Sequence, residues 1–221
     1  MFEWIGTPGE TPPAASDGQG RDVPGVGQAG VSASVCVAGS NGWPALGTIA
    51  PGDLVLTFDA GLQPVAEILR EPAWAGRGPL LPSLWLVEIP IRALGNREVM
   101  HLAADQLVLI ESDVAEAVTG DPFALVPARS LGDVRGIHRV PPQPGDEIIT
   151  LTFAEEQIVF AGGGAMLQCP AATSDLLEAP PSAPSARGYP RLSAQDAREV
   201  AIQMDEAAPQ ARSAGLPGIN S

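Results

Sequence analysis

The chain has 221 residues, among them 25 Gly and 23 Pro, a share of turn-formers that excludes a helical bundle or coiled coil and favours short strands. Its formal charge is −14 and all 12 basic residues are Arg, so it repels phosphate backbones and anionic lipid. No nucleic-acid or membrane partner is therefore expected. No apolar run approaches the ~20 residues that span a bilayer, and the Met1-Phe2-Glu3-Trp4 start lacks a basic region followed by an apolar stretch. A soluble, cytoplasmic protein is expected. Cys36, Cys169, His101 and His138 are too few for a disulfide-stapled scaffold or the usual four-ligand structural zinc site, and neither a metal nor a cofactor is expected.

Residues 5–30 carry seven Gly and four Pro among small and polar types, too little apolar surface to offset ordering entropy, so 1–29 reads as a disordered leader. From Val31 to Cys169 short apolar runs alternate with turns. Leu54–Phe58, Pro64–Leu69, Leu84–Ile89, Leu107–Ile110, Glu147–Phe153 and Gln157–Phe160 have strand length and are rich in β-branched and aromatic residues. Pro51-Gly52-Asp53, Asp59-Ala60-Gly61, Gly95-Asn96, Pro144-Gly145-Asp146 and Gly162-Gly163-Gly164 supply turns between them. The pattern predicts one all-β domain over residues 30–169. A Pro-rich linker follows at 170–190, then a helix at 191–208. Ser193 and Asp196 have cap spacing, and Ala197, Val200, Ala201 and Met204 share one narrow apolar face. That face either packs back on the β domain or meets a partner. Residues 209–221 read as a flexible tail.

The stretch Pro51-Gly52-Asp53-Leu54-Val55-Leu56-Thr57-Phe58-Asp59-Ala60-Gly61-Leu62-Gln63-Pro64-Val65 is more specific. It resembles the segment of bacterial Hint domains, the hedgehog/intein self-processing fold, in which a Pro-Gly-Asp turn leads into a hairpin ending Gly-Leu-Gln-Pro-Val. Ile91-Arg92-Ala93-Leu94-Gly95, Leu125-Val126-Pro127-Ala128-Arg129-Ser130-Leu131 and Gln157-Ile158-Val159-Phe160-Ala161 are similar to later blocks of that family, in order. The resemblance spans roughly residues 30–169 and implies a Hint-like horseshoe of short strands with its two ends brought together.

It also implies a chemistry. In the family, a Cys at the first position of the domain attacks the preceding carbonyl to give a thioester, and a Thr-x-x-His pocket polarises the scissile amide and protonates its nitrogen. Aligned without a gap, the nucleophile position falls at or near Gly30, the pocket falls on Ala103-Ala104-Asp105-Gln106, and the family's later His falls on Glu156. Gln106 can orient an amide by hydrogen bonding but exchanges no proton near pH 7, and Ala103 offers no hydroxyl. The alternative register uses Cys36 as the nucleophile and Cys169 as the residue after the domain, with Leu167-Gln168 where splicing inteins carry His-Asn. The resemblance therefore implies a domain that has lost self-cleavage and acts as a structural or protein-interaction module. The alternative is an active autoprocessing or splicing domain using Cys36, Cys169 or both. No constellation for a separate enzyme substrate is visible.

Plainer readings stand beside these. Cys36 sits in Val31-Ser32-Ala33-Ser34-Val35-Cys36-Val37-Ala38, which suits a buried strand and an inert thiol. The horseshoe leaves open a Cys36–Cys169 bond. His101 is expected on the face away from Gln106, and His138 at a strand end without a partner. Glu155-Glu156 and Asp146-Glu147 are expected to be solvated, and Gly162-Gly163-Gly164 to close the domain.

Overall fold

The two Pro-Gly-Asp sequences build the same turn twice. Asp53 N–H donates to Ala50 C=O and Asp146 N–H to Gln143 C=O, while each Asp carboxylate accepts the N–H of residue 50 or 143. Gly52 (φ +92°) and Gly145 (φ +95°) take the left-handed position that such a turn assigns to Gly. These turns launch β2 (Leu54–Thr57) and β10 (Glu147–Thr152). The computed structural model describes residues 29–74, 80–172 and 188–207. Most of the expected leader, linker and tail lies outside them.

The remaining strands are β1 (Val31–Ser32), β3 (Gly61–Pro64), β4 (Glu67–Pro72), β5 (Leu86–Ile89), β6 (Met100–Leu102), β7 (Leu107–Glu111), β8 (Phe123–Pro127), β9 (His138–Val140), β11 (Gln157–Ala161) and β12 (Ala165–Cys169). They form two six-stranded sheets, ordered β4-β10-β1-β6-β5-β9 and β3-β2-β11-β12-β7-β8, with every named strand pair antiparallel. The predicted strand over 64–69 is divided, because buried Val65 crosses from the second sheet to the first between β3 and β4. Five strands escaped prediction: β3 in all but Pro64, β6, β8, β9 and β12. Four of them have few β-branched residues or only two or three residues in all. In β8 the Leu-Val-Pro run was legible only as a family block. Gly162-Gly163-Gly164 joins β11 to β12 and does not end the domain.

One large apolar cluster joins the facing sides of both sheets, with Leu46, Ile89, Met100, Leu102, Ile149, Phe153 and Leu167 almost fully buried. Among the described residues two α-helices complete the fold, α1 (Asp113–Thr119) and α2 (Ala194–Ala207). Ser193 caps α2, its hydroxyl accepting the Asp196 N–H and donating to the Asp196 carboxylate. Ala197, Val200 and Ala201 are fully buried in the main core, so this face packs on the domain, beside the turn at Ala128–Leu131 and β8. Most important for the site, β1 lies inside one sheet and β12 inside the other, which brings the start and end of the β domain together.

Candidate functional site

Where the ends meet, Gln106 occupies a buried turn just before β7. Its side-chain oxygen accepts the Gly30 N–H at 2.8 Å, and its nitrogen donates to Leu107 C=O and to Gln168 C=O, each at 2.9 Å. Gly30 N–H can only donate, which fixes the orientation of the amide and leaves no spare hydrogen on it. The peptide unit Ala29–Gly30 is held at both ends, since Thr150 Oγ1 donates to Ala29 C=O at 3.2 Å. Ala103 N–H donates to Gly30 C=O. Its methyl group sits in an apolar patch with Ala73, Leu86 and Ile148.

Gly30 has φ +129°, and a Cβ there would come within 2.5 Å of Ile148 Cγ2 and 2.9 Å of Thr150 Oγ1. A side chain at this position would be strained and would force Ile148 and Thr150 to shift. A cavity of about 10 Å³ beside it, lined by Gln106, Thr150, Gln168 and Cys169 among others, is no larger than the ~10–15 Å³ that one water requires. The Val-Pro-Ala-Arg block clasps this turn from outside. Ala128 N–H donates to Gln106 C=O and Arg129 N–H to Ala104 C=O, while the Arg129 side chain pairs with Asp105.

Residues 32–166 match the model of the Hint domain family. The chain belongs to the Hint domain family. Its fold is similar to that of the gp41-1 intein, at 11% identity over 64% of this chain and 98% of that one, with a TM-score of 0.41. A bacterial intein-like domain from Clostridium thermocellum is similar at 15% identity over 64% of this chain and 97% of that one, with a TM-score of 0.43. No curated protein matches the sequence.

The two cysteines of this Hint domain lie in different surroundings, and both are free thiols, not a disulfide. Cys169 ends β12 inside the main core, where burial first and the nearby Glu156 carboxylate second push its thiol up to about 12. Glu156 is itself buried, against the expectation of a solvated acid. Its carboxylate faces the Arg191 guanidinium at 3.5 Å, on the segment that leads into α2. Sequence spacing could not pair residues so far apart.

Cys36, expected in a buried strand, is instead half-buried on a short bridge to Ala45, in a stretch rich in bends. Its N–H donates to Glu98 Oε1 at 2.8 Å, and its thiol is held above the ordinary range by burial, the Glu98 charge and a hydrogen bond to Glu98. It lines an open cleft of about 230 Å³ with Trp43, Arg97, Glu98, Gly162 and Gly163. Glu98 and Thr150 had no sequence signal. Asn96, completely buried, had one in the Gly95-Asn96 turn: its amide accepts the Leu94 N–H and donates to the carbonyls of Ile89, Pro90 and Glu98, fixing the loop that presents Glu98.

His138 departs from expectation too, for it has partners. Its Nδ1 bonds Gly136 C=O at 2.9 Å and its Nε2 lies 3.8 Å from Glu88, which also holds His101.

Proposed function

We propose that this Hint domain has lost self-cleavage and serves in the cytoplasm as a structural or protein-interaction module. The observation that carries the reading is the Gln106 amide on the Gly30 N–H. Cleavage of the Ala29–Gly30 bond requires a nucleophile on residue 30 and a proton for the leaving nitrogen. Residue 30 has no side chain and one there would press on Ile148 and Thr150, and a Gln carbonyl oxygen accepts a hydrogen bond without delivering a proton. Gln106 instead staples the entry of β1 to the exit of β12, a structural duty at the place where the resemblance implies catalysis.

Thioester chemistry at Cys36 or Cys169 is the competing reading. Both thiols are held above the ordinary range, Cys169 by deep burial and Cys36 by partial burial and then the Glu98 carboxylate, which lowers the thiolate fraction that would attack. An interaction role is supported by the exposed Leu54, Leu56 and Leu62 on β2 and β3, where β3 is a sheet edge.

The test is the intact mass of the full chain, tagged at both ends, before and after overnight incubation with dithiothreitol. One species at the full tagged mass is expected. Fragments ending before Gly30, Cys36 or Cys169, or loss of the segment between the cysteines, would overturn the proposal.

A further inference from the structure

The two edges of the second sheet are finished differently. Along β8 the segment that precedes α2 adds itself in parallel, Leu125 N–H donating to Pro190 C=O at 2.9 Å and Leu192 N–H to Leu125 C=O at 3.0 Å. Among the described residues nothing pairs with the outer edge of β3. What that edge offers follows from its neighbour β2. Leu56 N–H donates to Ala38 C=O and Leu54 C=O accepts the Ser40 N–H, so these two residues turn their backbone groups away from β3, while Val55 and Thr57 turn theirs toward it. In register, Val55 and Thr57 stand opposite Gln63 and Gly61, which leaves the N–H and C=O of Leu62 and the C=O of Pro64 pointing outward. Pro64 has no N–H, so Leu62 is the one residue of β3 that presents both groups at the edge.

The outer face beside this edge is apolar. Leu56 stands opposite Leu62 and Leu54 opposite Pro64, and the three leucines are 38%, 43% and 42% exposed. Between residues 54 and 65 the one charged residue is Asp59, whose carboxylate accepts the Tyr189 hydroxyl at 2.6 Å.

We infer, on the footing of the interaction role proposed above, that β3 is a dimerisation edge whose occupant is β3 of a second copy, paired antiparallel about a two-fold axis at Leu62. The hydrogen-bonding capacity of the edge selects that occupant. One residue with one donor and one acceptor is its own complement: each Leu62 N–H donates to the Leu62 C=O of the other copy, which closes an isologous pair. A longer foreign strand gains little more, since Pro64 cannot donate and the Ala60 N–H is already given to Thr57 Oγ1. Charge selects the same occupant. A partner drawn by the net charge of −14 is basic, and the only carboxylate of this hairpin is already engaged. Two copies of so acidic a chain repel wherever their carboxylates face each other, and a neutral patch is where they can touch. Pairing at Leu62 sets Leu56 and Leu62 of both copies in one row across four strands and joins two six-stranded sheets into one. It also covers an edge that carries no charged residue of its own to deter pairing.

The test is the mass of the full chain by sedimentation equilibrium, at rising protein concentration and at low and high sodium chloride. Twice the chain mass is expected at high concentration, with the dimer stronger at high salt because ions screen the repulsion between two chains of charge −14. Leu62→Arg, which sets two like charges against each other on the axis, should return the mass to that of one chain. A second variant does not depend on a loss. Leu62→Cys, in a chain that also carries Cys36→Ala, should form a disulfide-linked dimer on mild oxidation, whereas Cys36→Ala alone should not. A single chain at every concentration, a dimer that salt dissolves, one that survives Leu62→Arg, or absence of the cross-link would overturn the assignment. The underlying reading fails separately: a full-length monomer refutes the dimer and leaves the loss of self-cleavage standing, whereas fragments refute that loss.

Discussion

The junction at Gln106 and the cleft at Cys36 make opposite use of polar residues. At the junction, the side-chain amide satisfies one buried N–H and two carbonyls, and no space remains beyond that of a single water. The cleft is open, holds about 230 Å³, and is lined by a thiol, a carboxylate, a guanidinium and an indole that is 48% exposed. A buried polar group is costly unless it is bonded, so the junction tolerates little change, whereas the cleft is solvated whichever side chain stands there. The position that the resemblance assigns to chemistry holds a fully hydrogen-bonded amide. Cys36, Arg97 and Glu98 stand together in the open cleft, while Cys169 is enclosed in the core.

Substitutions can break this contrast in order of size. Gln106→Ala leaves the Gly30 N–H and the carbonyls of Leu107 and Gln168 without their partner. At about 1–3 kcal/mol for a buried unsatisfied group, a loss of roughly 3 kcal/mol or more is expected in urea unfolding. A loss under about 1 kcal/mol would mean that water replaces the staple. Gly30→Ala meets both a positive φ and a close approach to Ile148, and should cost about 1–3 kcal/mol in the same measurement.

Alkaline pH sharpens the comparison of the two thiols. The native Cys169 thiol stays protonated to about 12, whereas the unfolded chain loses that proton near the ordinary value of 9.0. The native state then binds more protons than the unfolded one, so this thiol's contribution is fully present below about pH 9 and is lost as pH rises from about 9 toward 12. Cys169→Ala should flatten that decline. A decline equally steep in the variant would assign it to other groups. At the small end, Cys36→Ala should shift stability by less than about 0.5 kcal/mol. Iodoacetamide should label Cys36 in the native protein and Cys169 only after unfolding. Equal labelling of both would erase the distinction between buried and open regions.

The amino-acid sequence by itself determined the all-β class, the two Pro-Gly-Asp turns, and the cap and apolar face of α2. Each rests on neighbours within a few residues, where turn chemistry and periodicity act. The orienting role of Gln106 was legible as well, because a Gln has only hydrogen bonds to offer wherever it stands. Tertiary structure alone decided what Gln106 holds: residues 30 and 168 meet only because β1 and β12 are interior strands of two facing sheets. It likewise decided the burial of Glu156 against Arg191, the Glu98 contact of Cys36, and the placing of both histidines on Glu88. Strand register and burial create those contacts, and neither quantity is carried by any residue's near neighbours in the chain.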